Sequence, residues 1–240
     1  TVSSGSPTDL TYLSMAQRLR RKCRVKGSGP TAVTGQSEEE MRLLSYINEA
    51  YMAILRLHPD WHFLRASCST TTTQGTYAYT ATDDFNLTDF GYWALDYERG
   101  DTFRCYLTAT GESDEQLLGV LDYDDWRNQH QLGSLRTSYQ RPSVVAAAPD
   151  RSLVIGPMPA TGYTVSGDYY KVPVELAAAG DIPCLPNQFH MAIVYRAMMF
   201  FGVSEAAPEI YDEGKAEFRI MRAQMEATQL RRITIAGPLA

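Results

Sequence analysis

Phe189-His190-Met191-Ala192-Ile193-Val194-Tyr195-Arg196-Ala197-Met198-Met199-Phe200-Phe201 is almost wholly apolar, and it opens the most regular stretch of the chain, Pro186 to Arg232. Gly202 and Pro208 interrupt it. Beyond them Tyr211, Gly214, Phe218, Met221, Met225 and Thr228 recur at alternating steps of three and four. That spacing predicts one face of a long helix with a seam close to a heptad. Two helices are therefore expected here as the spine of the fold. Phe189, Ile193 and Phe200 on the first, and Tyr211, Phe218, Met221 and Met225 on the second, are the candidates for bundle and subunit packing.

Working outward, the N-terminal part is also helical. Thr8 is placed to cap a helix reaching about Val25, with Leu10, Leu13, Ala16 or Gln17, and Cys23 near one side. Ser37 and Glu40 have capping-box spacing, so a second helix is expected from about Glu38 to Leu57, stopped by Pro59. Its apolar stripe reads Met41, Leu44, Ile47 or Asn48, Tyr51 and Leu55. Trp61, Phe63 and Leu64 form an aromatic clasp after it.

From Cys68 the pattern changes to β-branched and aromatic residues broken by Gly, Pro and Asp. Thr70–Thr73 and Thr76–Thr80 around Gln74-Gly75 predict a hairpin. Further strands are expected at Trp93–Glu98, Thr102–Thr108, Ser143–Ala147, Ser152–Gly156 and Tyr163–Lys171, with a polar helix at Asp122–Leu132. Spacing of about 8 to 12 residues suits a small sandwich or barrel. The fold class is α+β: a helical bundle from N- and C-terminal segments (residues 1–65 and 185–232) with an inserted antiparallel β-rich domain (66–184), then a short tail (233–240).

Composition narrows the function classes. At 44% hydrophobic and 21% charged, the chain reads as globular and soluble, and nothing approaches the apolar length of a membrane span. The polar N-terminus lacks a signal-peptide pattern, so an intracellular product is expected. Cys23, Cys68, Cys105 and Cys184 include no CxxC pair and read as reduced thiols. A net charge of −6 argues against sequence-specific DNA binding.

Catalytic signals are absent from the pattern. No phosphate loop, dinucleotide fingerprint or nucleophile elbow occurs. His58 and His62 have zinc-helix spacing, but Pro59 and Asp60 break the helix between them. His190 reads as a core or interface histidine. Carboxylates at Asp83-Asp84, Glu112 to Glu115, Asp122 and Asp124-Asp125 would need to converge in a cleft to form an acid/base pair. No catalytic residue, metal or cofactor is expected. Arg20, Arg21, Lys22, Arg24 and Lys26 crowd the end of the first helix. There they either complement the helix dipole in solvent or contact DNA or an acidic partner.

Several stretches taken in order carry a resemblance. They are Ile47-Asn48-Glu49-Ala50-Tyr51 leading to Pro59-Asp60-Trp61 and Phe63; Leu153-Val154-Ile155-Gly156-Pro157-Met158-Pro159; Tyr163-Thr164-Val165; Asp168-Tyr169-Tyr170; and Leu185-Pro186, Phe189-His190 and Ala192-Ile193-Val194. Together they resemble the head-to-tail adaptors of tailed bacteriophages, also called connectors or tail tubular proteins. Gly111 to Gln140 has no counterpart in that pattern. The resemblance implies a bundle with a β-rich domain and a ring of twelve copies beneath the portal protein. Such a ring extends the DNA channel and docks the next tail or nozzle protein at the virion neck, after synthesis in the host cytoplasm.

Physical arguments accompany it. A lumen through which DNA slides must not hold phosphate, and −6 per chain multiplied around a ring is repulsive. A ring also needs two different subunit faces. The tail after Arg231 and Arg232 is apolar, and Ile233, Ile235 and Leu239 are candidates to dock on the portal by strand addition or groove filling. Alternatives are another tail ring component (a terminator or nozzle) or, from a different class, a carbohydrate-binding or glycan-hydrolysing module. The last would need exposed aromatics on 93–106 or converging carboxylates.

Overall fold

A computed structural model describes residues 9–27, 29–96 and 102–231. The elements run α1 (Tyr12–Lys22), α2 (Glu38–Leu55), β1 (Arg65–Thr71), β2 (Ala78–Tyr79), β3 (Phe90–Trp93), β4 (Phe103–Leu107), β5 (Gln116–Leu117), β6 (Gly119–Val120), α3 (Tyr123–His130), β7 (Tyr139–Gln140), β8 (Val144–Ala147), β9 (Leu153–Gly156), β10 (Met158–Pro159), β11 (Tyr163–Lys171), α4 (His190–Ser204) and α5 (Pro208–Gln229). The class is α+β, with an inserted β-rich region. Two compact units result: Thr1–Phe63 with Pro173–Ala240, and Leu64–Val172.

In the helical unit α4 is the centre, because α1, α2 and α5 all pack on it. Its buried residues run from His190 to Gly202 on several sides, which explains why its sequence is apolar nearly all round. The α5 seam closes on α4 through two glycines. A Cβ at Gly202 would lie 2.7 Å from the Tyr211 backbone nitrogen, and one at Gly214 would lie 2.8 Å from the Tyr195 carbonyl oxygen. Backbones can approach this closely only without a side chain at those positions.

The capping box forms as the spacing predicts. The Glu40 amide donates to Ser37 Oγ, and the Ser37 amide donates back to Glu40 Oε2. The first helix differs from expectation. Thr11 caps it, accepting from the Ser14 amide at 3.3 Å; Thr8 lies outside the described residues. Of the expected side, Leu10, Ala16 and Cys23 are buried and Leu13 is half-buried, and Tyr12, Met15 and Leu19 are buried as well. The helix also stops at Lys22 rather than Val25, since Arg24 takes φ 57°. On α2, Leu43, Leu44, Ile47, Ala50, Tyr51, Ile54 and Leu55 are buried, but Met41 is turned outward and 44% exposed. Met41 was expected on the apolar stripe. The inward arc at that turn is taken by Leu43 and Leu44.

The segment 173–185 is strapped across these helices. Asn48 brackets Leu176, with Nδ2 donating to its carbonyl at 2.8 Å and Oδ1 accepting its amide at 3.0 Å. The Asp181 and Ala179 carbonyls accept the Tyr12 and Leu13 amides, satisfying donors that a helix start leaves open.

In the β-rich unit the nine-residue β11 organises one sheet, ordered β1-β11-β4-β5 with β3 also paired to β11. A second sheet has the order β2-β9-β8-β6, and β7 pairs with β10. Cys68, Phe103, Cys105 and Val165 from the first sheet share a core with Tyr79, Val145, Leu153 and Ile155 from the second. The expected hairpin around Gln74-Gly75 does not form. β1 pairs with β11 and β2 with β9, so the turn carries the chain from one sheet to the other. Burying both Cys68 and Tyr79 between two sheets outweighs pairing two polar threonine runs with each other. In place of the strand expected at Trp93–Glu98, β3 is Phe90–Trp93, in register against Tyr169 and Tyr170; residues 94–96 are not in a strand, and Tyr97 and Glu98 lie outside the described residues.

Candidate docking surfaces

The basic end of α1 divides into two sets. Arg20 is half-buried beneath the following loop, and a Cβ at Gly29 would sit 2.8 Å from its Cδ. Lys22 pairs with Glu213 at 3.4 Å and lies over the Tyr195 ring. These two therefore hold the unit together. Arg21, Arg24 and Lys26 are exposed and leave a smaller cationic surface than the five-residue cluster implied.

The burial of the seven residues proposed for packing is mixed. Phe189, Ile193, Phe218 and Met225 are buried, and Phe200, Tyr211 and Met221 are half-buried. One participant escaped the sequence reading. The Arg196 guanidinium lies over both Phe200 and Phe218, 5.0 and 5.6 Å from the ring centroids. A lone arginine in an apolar run gives no signal for such a contact. The opposite face of α5 was also missed. Ala216, Ile220, Ala223 and Ala227 are exposed there, with Ile220 at 55%.

Arg231 is exposed at the end of the described chain; Arg232, Ile233, Ile235 and Leu239 lie outside the described residues. The helix that leads to them is anchored. Glu226 Oε1 lies 3.0 Å from His58 Nε2 and accepts from Arg222 Nε at 2.7 Å. These hydrogen bonds hold the Glu226 carboxyl below its ordinary pKa. His58 meets Trp61 edge-on at 4.9 Å. Among the described residues no group of three or more His, Cys, Asp or Glu is placed to hold a metal ion.

His190 is structural on both sides of its ring. The Leu10 amide donates to Nδ1 at 3.0 Å, and Nε2 donates to the Leu185 carbonyl at 2.9 Å. Burial pushes its pKa down, in keeping with a neutral ring that accepts at one nitrogen and donates at the other. Cys23, Cys68 and Cys105 are buried free thiols, whereas Cys184 is exposed. Burial raises the first two to about 12 and Cys105 to about 11.

Some of the features named for the sugar-module alternative have other roles, and Tyr97 lies outside the described residues. Trp93 and Phe103 are core residues, not an exposed row. Asp114 receives Arg141, which also donates to the Cys105 carbonyl, and Asp84 accepts from the Thr80 amide. Exposed apolar side chains of this unit include Leu117, Leu132, Leu135 and Tyr139, and also Tyr77 and Tyr92. Among the described residues no helix is long and apolar enough to cross a membrane.

A helical unit assembled from N- and C-terminal segments and a β-rich insertion define an α+β protein. A family model described as SU10 adaptor protein matches residues 10–237, so the chain belongs to that family, a phage head-to-tail adaptor family. A search of curated proteins found no match.

Proposed function

We propose that this adaptor is a structural ring subunit of the virion neck. It binds the portal protein, extends the DNA channel and receives the next tail or nozzle component. The observation that carries this reading is the family match over residues 10–237, which spans both the helical and the β-rich units. In this reading twelve copies close the ring, and DNA passes without specific binding because the net charge of −6 per chain repels it. The helical unit holds the subunit to its neighbours. Residues 233–240, led by Arg231 and Arg232, reach the portal, and the cations Arg21, Arg24 and Lys26 meet an acidic neighbour or passing DNA.

Mixing the purified protein with its cognate portal rings tests the proposal. The expected result is a complex with twelve adaptors per portal ring, seen by native mass and by cryo-EM class averages as a collar coaxial with the portal. A protein that stays unbound, or that binds only the distal end of a finished tail, overturns it.

A further inference from the structure

α5 has two seams on opposite sides. The inner one, Tyr211, Gly214, Phe218, Met221 and Met225, is buried or half-buried, and Tyr211, Gly214 and Phe218 meet α4. The outer one, Ala216, Ile220, Ala223 and Ala227, repeats at steps of four, three and four and is exposed. Ala216, Ile220 and Ala223 line a shallow groove of ≈ 560 Å³ together with Arg219 and Gln224. A helix of 22 residues, about 33 Å long, thus carries a second coiled-coil-like face. Alanines along it let a partner helix approach closely, while Ile220 offers the one large apolar contact.

A matching face exists on the same unit. The outward side of α2 carries the exposed Met41 and the half-buried Met52 eleven residues apart, the separation between Ala216 and Ala227. Ser45 and Glu49 lie between them, hydrogen-bonded to each other at 2.9 Å. Methionines are flexible enough to fill a groove floored by alanine. The charges select a direction. When α2 runs antiparallel to α5, with Met52 over Ala216 and Met41 over Ala227, Arg56 comes to the acidic Glu209 and Asp212, and Glu49 comes to Arg219. The parallel arrangement brings Glu38 and Glu39 to that acidic end instead. All of these charged residues are exposed.

We infer that the outer face of α5 is the seat of α2 from a second copy of this chain, docked antiparallel in a head-to-tail contact. The inference rests on the ring-adaptor reading and gives it a specific interface. Each chain carries both faces on different helices, so the contact propagates from copy to copy instead of closing as a pair.

The test uses the full-length chain with Cys184→Ser, which removes the exposed thiol. Met41→Cys and Ala227→Cys are introduced in separate samples, then together in one chain. Oxidation is carried out at high protein concentration and again on portal rings. The expected outcome is a disulfide dimer only when the two single variants are mixed, and a ladder of higher species from the double variant. Arg219→Glu should weaken self-association at least tenfold, and Glu49→Arg in the same chain should restore it, with the melting temperature unchanged throughout. Lack of the mixed disulfide in both settings overturns the inference, as does a dimer from Ala227→Cys alone, which would mean α5 pairing with itself. If portal binding persists in that case, the adaptor reading stands and only this interface is wrong; if portal binding is also absent, both fall.

Discussion

His58 Nε2 lies 3.0 Å from Glu226 Oε1, and this pair ties the turn after α2 to the last full turn of α5. Both side chains are about one-third exposed. The Glu226 carboxyl is held below its ordinary pKa first by His58 and then by Arg222. A depressed carboxylate stabilises the fold above its unfolded pKa, and that contribution disappears as pH falls through the folded value. Glu226→Gln should therefore cost about 0.5 kcal/mol near neutrality, the scale of an exposed pair. The gap from wild type should close below the usual carboxylate range. Urea unfolding across that range checks it; a gap that does not vary with pH assigns the loss to packing.

His190 makes a larger contribution with the opposite chemistry. Its folded pKa is lowered by burial, so the unfolded chain takes up a proton first as the solution is acidified. Stability from this group is full above the ordinary histidine pKa, about 6.5, and declines as pH falls from there. His190→Phe leaves the Leu10 amide and the Leu185 carbonyl unpaired and should cost about 2–4 kcal/mol. It should also flatten the pH dependence between neutrality and mild acid, measured by chemical denaturation at several pH values.

Gly202 and Gly214 set the separation of α4 and α5. Alanine would add helix propensity worth about 1 kcal/mol at either position. It would also push a Cβ into backbone atoms at 2.7 Å in one case and 2.8 Å in the other. We expect the overlap to win, with a net loss of about 1–2 kcal/mol for each. Thermal unfolding decides, and a gain in stability would show that the helices separate without cost.

The two classes of cation at the end of α1 can be told apart. Reversing Arg21, Arg24 and Lys26 together should leave stability within about 0.5 kcal/mol, as for surface changes. In the proposed function it should also reduce assembly with the portal or retention of DNA. Arg20→Ala should act the other way, lowering stability through the loop at Gly29 with little effect on assembly. Melting curves and co-sedimentation with portal rings separate these outcomes.

Deleting residues 233–240 should abolish portal binding and leave the melting temperature unchanged, because Glu226 anchors α5 before the tail begins. Normal binding by the truncated chain would remove the docking role assigned to Ile233, Ile235 and Leu239.

Local signals were read best where neighbours in sequence are also neighbours in space. Ser37 and Glu40 announce a capping box, and the residues that make it are three apart. The α5 seam was equally legible, since Tyr211, Phe218 and Met225 face one way on any helix drawn through them. The same arithmetic runs through the outer seam at Ala216, Ile220, Ala223 and Ala227. Alanine is as common on solvated helix faces as at interfaces, so the spacing alone does not mark that seam.

Other features depended on distant parts of the chain. Thr70–Thr73 and Thr76–Thr80 look like a hairpin, yet their partners are β11 and β9, some 90 and 75 residues on. His190 looks like any helical histidine until Leu10 and Leu185 supply its two bonds. Lys22 and Arg20 look like their exposed neighbours until Glu213 and Gly29 fold against them. By itself the sequence determined the helices, their buried periodicity, the α+β class and the order of motifs that points to a phage adaptor, because these follow from spacing along the chain. Only the tertiary structure decided the strand partners, which cations remain on the surface and which side of α5 is left open. Each of these depends on which distant residues arrive alongside, and burial and charge pairing act on neighbours in space.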